Sequence, residues 1–92
     1  MTLQQLQRLA HYARNEENKL RHAYGRFSPL IELEISPDGM SVKCGAWCDK
    51  DERVFQTGAL VRWPDVSEAT LIEAVNNCAD GMNAILTKEI KR

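Results

Sequence analysis

No stretch of this sequence approaches the roughly 18–20 consecutive apolar residues that a membrane span needs, so no membrane partner is expected. The opening MTLQQLQRLAHYA lacks the basic-then-apolar layout of a signal peptide. Cysteine is scarce and odd in number. Cys44, Cys48 and Cys78 do not make a disulfide framework and fit reduced thiols in a cytoplasmic protein. Net charge is close to absent: 12 Lys and Arg against 13 Asp and Glu leave −1. The chain as a whole is therefore no polyanion binder.

The signatures of catalysis are missing as well. There is no glycine-rich phosphate loop, no G-x-S-x-G and no paired histidine motif on one helical turn. A chain of 92 residues buries only about 60–65% of its unfolded surface. That allows one modest core in a single domain spanning residues 1–92, without a deep cleft and cofactor. Cys44 and Cys48 do not suggest a metal, since four strand residues span roughly 13 Å and zinc holds sulfur at about 2.3 Å. His11 and His22 lie about 16 Å apart along a helix and cannot share a proton or an ion. The expected protein is not an enzyme and carries no cofactor or metal.

What is present is pattern. Leu3, Leu6, Ala10, Ala13, Glu17, Leu20, Tyr24 and Phe27 recur at three and four residues, the seam of an amphipathic helix. Thr2 suits its N-cap and Gly25 its stop. Glu17 sits on the seam within reach of Arg21. Residues 30–36, LIELEIS, alternate as a half-buried strand. Pro37-Asp38-Gly39 is turn chemistry. SVKCGAWC, residues 41–48, alternates again, with Val42, Cys44, Ala46 and Cys48 on one face and Ser41, Lys43, Gly45 and Trp47 on the other. Across a charged loop, RVFQTGALVRW supplies a third strand with Phe55, Thr57, Ala59 and Val61 as its inward set and Gly58 as a candidate bulge.

Pro64 ends that strand, Trp63 is expected to seal the core, and Asp65 or Ser67 opens a second helix; Asp65 with Glu68 has capping-box spacing. Leu71, Ile72, Val75, Cys78, Ala79, Met82, Ile85 and Leu86 give that helix a broad apolar face, interrupted only by Asp80-Gly81, where it could break. The predicted class is α+β: an N-terminal helix, a three-stranded antiparallel sheet and a C-terminal helix, in two layers (α-β-β-β-α).

Charge is unevenly spread. Residues 1–26 hold five basic and two acidic side chains, and residues 27–66 four basic and seven acidic. Arg8, His11, Asn15, Lys19, His22 and Arg26 line one side of the first helix, a stripe roughly 27 Å long that could track phosphates. The α-β-β-β-α order is also that of double-stranded RNA-binding domains. Those domains need a lysine cluster opening the second helix, where this chain has DVSEATLIEA with Asp65, Glu68 and Glu73. Trp47, with Glu32 and Glu34, is placed on the wet face of the sheet, and tryptophan is enriched at binding hot spots.

The reading is a small, non-catalytic macromolecule-binding protein, a regulator or inhibitor with a protein partner. Its contacts would be Arg8, His11, Lys19, His22, Arg26, Glu32, Glu34 and Trp47. Its size suits a phage or prophage accessory protein acting on a host nucleic-acid enzyme or defence complex. Glu32, Glu34, Asp38, Asp49, Asp51 and Glu52 would then imitate phosphates for a basic partner site. The alternative is a nucleic-acid-binding module using the basic face of the first helix. The helix seam would also allow a homodimer.

Overall fold

The computed structural model describes residues 1–48 and 50–91. The elements run α1 (Leu3–Ala23), β1 (Phe27–Ser36), β2 (Gly39–Cys48), β3 (Val54–Arg62), a 3-10 turn (Trp63–Asp65) and α2 (Glu68–Ile90). The strands form one antiparallel sheet in the order β1-β2-β3. The α+β class and the element order are those predicted. α1 packs on β1, α2 packs on β2 and β3, and the helices contact each other. They run parallel: Arg8 meets Glu68 at one end and Tyr24 meets Asn83 and Thr87 at the other.

Local chemistry fixes each boundary. Thr2 caps α1 through a capping box with Gln5. Ser67, and not Asp65, caps α2, with Thr70 completing the box; Asp65 lies in the 3-10 turn, where its carbonyl accepts from the Thr70 hydroxyl. α1 stops at Ala23, with Tyr24 as C-cap, so Arg26 lies in the following turn and Phe27 opens β1. α2 continues unbroken through Asp80-Gly81. A Cβ at Gly81 would lie 3.3 Å from Thr57 Cγ2, so the glycine lets the helix approach the sheet. At Gly39 a Cβ would fall 2.0 Å from the Val61 carbonyl oxygen, so β3 can lie against the start of β2 only at glycine. The β2–β3 register runs without interruption from Gly39↔Arg62 to Trp47↔Val54. Gly58 therefore marks no bulge.

The core lies between the helices and one face of the sheet. Leu9, Leu20, Val42, Cys44, Leu71, Val75, Met82 and Leu86 are buried there. Of the predicted seam, Ala13, Glu17 and Leu20 are buried inside the chain, while Leu3, Leu6 and Ala10 are exposed; Leu9, one position before Ala10, takes the buried place. This removes the basis for a long seam-to-seam dimer through α1. Trp63 does not seal the core; it is 43% exposed, and its indole N–H donates to the Ser36 carbonyl, tying the end of β3 to the hairpin.

Glu17, 6% exposed, does not pair with Arg21. Its Oε1 accepts from the Ile31 backbone N–H at 2.8 Å, and its Oε2 lies 3.3 Å from Arg14 Nε. Arg21 reaches instead to Asn18 and the Pro29 carbonyl. Since Pro29 has no N–H, α1 closes the outer edge of β1 across residues 29–31. Covering, prolines and charges are the usual protections of an edge strand.

Candidate functional site

With both helices on one side, the other face of the sheet is uncovered. The strand registers set its layout in rows: Ser28-Trp47-Val54, then Leu30-Gly45-Gln56, Glu32-Lys43-Gly58 and Glu34-Ser41-Leu60. Rows are about 6.7 Å apart. Leu30, Trp47, Val54 and Leu60 are each roughly half exposed. Leu30, Trp47 and Val54 fall in adjoining rows, with Leu60 two rows beyond Leu30; clustered apolar surface of this kind is often functional.

Gly45 and Gly58 occupy diagonal positions in the middle of this face. Between Leu30, Lys43 and Gln56 they leave a depression of about 380 Å³. Neither glycine adopts a positive φ, and a Cβ would meet only ordinary contacts, 3.9 Å from the Phe55 oxygen at Gly45 and 3.6 Å from the Val42 oxygen at Gly58. The fold of the chain does not require glycine at either position, although glycine weakens a strand. What the two residues provide is concavity.

One rim is charged. Lys43 stands directly across from Glu32, and its ammonium donates to Glu34 at 2.7 Å. That hydrogen bond and charge hold the Glu34 carboxyl below its ordinary pKa and raise Lys43, to which Glu32 adds. Both groups are exposed, so their pairing orients the rim more than it stabilises the fold.

The sequence-predicted contacts therefore divide. Glu32, Glu34 and Trp47 share the uncovered sheet face. Arg8, His11, Lys19 and His22 lie on exposed positions of α1, on the opposite side of the sheet, with Arg26 beyond the helix end. The basic stripe is also partly neutralised within the chain. Arg8 donates to both carboxylate oxygens of Glu68 at 3.0 and 3.1 Å, which raises the Arg8 pKa, and Lys19 pairs with Glu16.

The acidic set does not form one surface. Asp38 lies at the β1–β2 turn, while Asp51 and Glu52 lie beyond the other end of the ten-residue β2; Asp51 is paired with Arg53. Asp49 lies outside the described residues. Leu30, Val54, Gln56 and Leu60, absent from the predicted contacts, complete the site. Strand alternation alone puts each of them on the Trp47 side.

Among the described residues, no group of three His, Cys, Asp or Glu side chains is placed to hold a metal. No helix of the described chain is long and apolar enough to cross a membrane. All three thiols are buried, and burial pushes Cys44 up to about 11. No protein family, curated protein or solved structure matches the chain.

Proposed function

We propose that this is a non-catalytic, protein-binding module of the cytoplasm, a regulator or inhibitor that engages its partner through the uncovered face of the sheet. The observation that carries this reading is the depression over Gly45 and Gly58. It is lined by half-exposed Leu30 with Glu32, Lys43 and Gln56, and Trp47 and Val54 stand in the adjoining row. An aromatic anchor beside a pocket with a polar rim is the anatomy of a protein interface.

Photo-crosslinking tests the reading. A photoreactive residue at Leu30 or Gln56 should give a discrete protein adduct in cells, and one at His11 should not. Gly45→Leu, which fills the depression, should abolish the adduct while leaving the circular dichroism spectrum unchanged. Adducts arising only from His11 would move the interface to α1 and end this reading.

Nucleic-acid binding through α1 is less well supported, because Arg8 and Lys19 already have carboxylate partners. Retention on mixed DNA and RNA duplexes across a salt series separates the two. Phosphate binding weakens steeply with salt, whereas an apolar anchor at Trp47 does not.

A further inference from the structure

We infer that the free edge of β3 is a self-association surface, on which two copies pair antiparallel about a twofold axis at Gly58 to form a continuous six-stranded sheet. This goes beyond the proposed role of the sheet face and stands independently of it.

The first observation is the unequal treatment of the two sheet edges. The β1 edge is closed by Pro29, by Glu17 bonded to the Ile31 N–H and by Arg21 on the Pro29 carbonyl, with Glu32 and Glu34 along it. Those carboxylates would oppose one another in a self-pairing. β3 has none of this. From Val54 to Val61 it carries no charge and no proline. The Cys48 N–H donates to the Arg53 carbonyl, which sets the parity of the β2–β3 ladder. The N–H and C=O groups of Gln56, Gly58 and Leu60 consequently point away from β2. Among the described residues, no partner occupies them. A long, uncharged, unpaired edge is the kind that soluble proteins otherwise block.

The second observation is that β3 is self-complementary in one register. Centred on Gly58, the pairing sets Gln56 against the partner's Leu60 and Val54 against the partner's Arg62, with glycine against glycine at the dyad. No like charges meet. About ten backbone hydrogen bonds can form, in the paired pattern of antiparallel strands.

On the helix side, Phe55 would lie against the partner's Val61, and Thr57 against the partner's Ala59. All four are only partly buried in the single chain. A groove of about 360 Å³ between the β3 edge and α2, lined by Ala59, Val61, Thr70, Glu73 and Asn77 among others, gives the second copy room. The strip is roughly 30 Å long, at the low end of specific interfaces, so the expected dimer is a micromolar one.

Sedimentation velocity of the full chain over a concentration series tests this. The wild-type mass should rise from one to two chains across the micromolar range. Gly58→Glu puts two carboxylates across the dyad, beside Lys43 within each chain, and should move the transition up by roughly tenfold or more. Gly58→Lys should do the same, and an equimolar mixture of the two variants should restore the dimer. Gln56→Pro removes one edge N–H without touching the β2–β3 ladder and should also weaken it. A wild-type chain that stays monomeric throughout overturns the inference. So does a dimer indifferent to Gly58→Glu and Gln56→Pro, or a mixture of charge variants that stays monomeric.

Discussion

Replacing Glu17 by leucine should destabilise the protein by about 2 kcal/mol, although a buried charge is exchanged for an apolar side chain. The reason is the partner left behind. Glu17 Oε1 accepts from the Ile31 N–H at 2.8 Å in a buried setting. That N–H faces away from β2 and cannot turn to a new acceptor. Stranding it costs roughly 1–3 kcal/mol. Loss of the Arg14 contact adds little, because Arg14 is 72% exposed at its side chain and such pairs are worth up to about 1 kcal/mol. For a domain of this size, about 2 kcal/mol corresponds to a melting temperature lower by roughly 8–16 °C. Far-UV circular dichroism is the right probe, since both tryptophans are already 43% exposed and their emission should change little on unfolding. Glu17→Gln keeps the accepting oxygen and should lose no more than about 1 kcal/mol. The Ile31 amide should exchange with deuterium faster in the leucine variant than in the glutamine variant. A leucine variant that melts with wild type would falsify the assignment of Glu17 as the guard of this edge.

Three further outcomes follow from the same structure. Burial holds the Cys44 thiol neutral in the folded chain up to about pH 11, while in the unfolded chain it ionises near its ordinary value of 9.0. Stability should be unaffected by this group below pH 9 and should fall by up to about 2–3 kcal/mol as pH rises through that window; Cys44→Val should flatten that part of the urea-midpoint profile. Ser67→Ala removes the α2 cap bonds to Thr70 and should cost about 1 kcal/mol, read as a lower urea midpoint with an unchanged slope. Gly58→Ala should be neutral or stabilising by a few tenths of a kcal/mol, because the added Cβ meets only the Val42 oxygen at 3.6 Å; a marked loss of stability in the isolated chain would show that the glycine is structural after all.

The order of elements was legible because periods of 2 and 3.6 alternate clearly along the chain. Misreadings cluster where both periods fit or where the deciding contact is remote. Tyr24 and Phe27 continue the helix seam, yet the helix ends before them and both are buried from non-helical positions. Either period puts Phe27 toward the core, so periodicity could not choose. Trp63 precedes a proline and reads as core, but its N–H is drawn to the Ser36 carbonyl 27 residues away. The Lys19–Glu16 pair could be read from helical spacing, whereas Arg8–Glu68 spans 60 residues and depends on how two helices pack. For the sheet, alternation placed Trp47, Glu32 and Glu34 together on one face. It also placed them on the wet side, which is the face the helices leave uncovered, but Gly45 and Gly58 gained their meaning only from the register that made them diagonal neighbours.

The uncovered face is neither of the two surfaces that a one-sided sheet would need merely to stay soluble. A solvated face would carry charge on every strand, as β1 does with Glu32 and Glu34. β2 and β3 instead present Trp47, Gly45, Val54, Gln56, Gly58 and Leu60, and their outward positions carry charge only at Lys43 and, at the end of β3, Arg62. A core face would be apolar throughout and would exclude the exposed Lys43–Glu34 pair. A mixed face, apolar at its centre with a paired charge at its rim, is suited to intermittent cover. The β3 edge bears on the same surface. Pairing across Gly58 would join the two uncovered faces into one sheet, with the two depressions related by the twofold axis and the charged β1 rims at its outer ends. If the face binds a partner as proposed, that partner could be held at two equivalent sites, and its apparent affinity would then rise with the concentration of this chain itself.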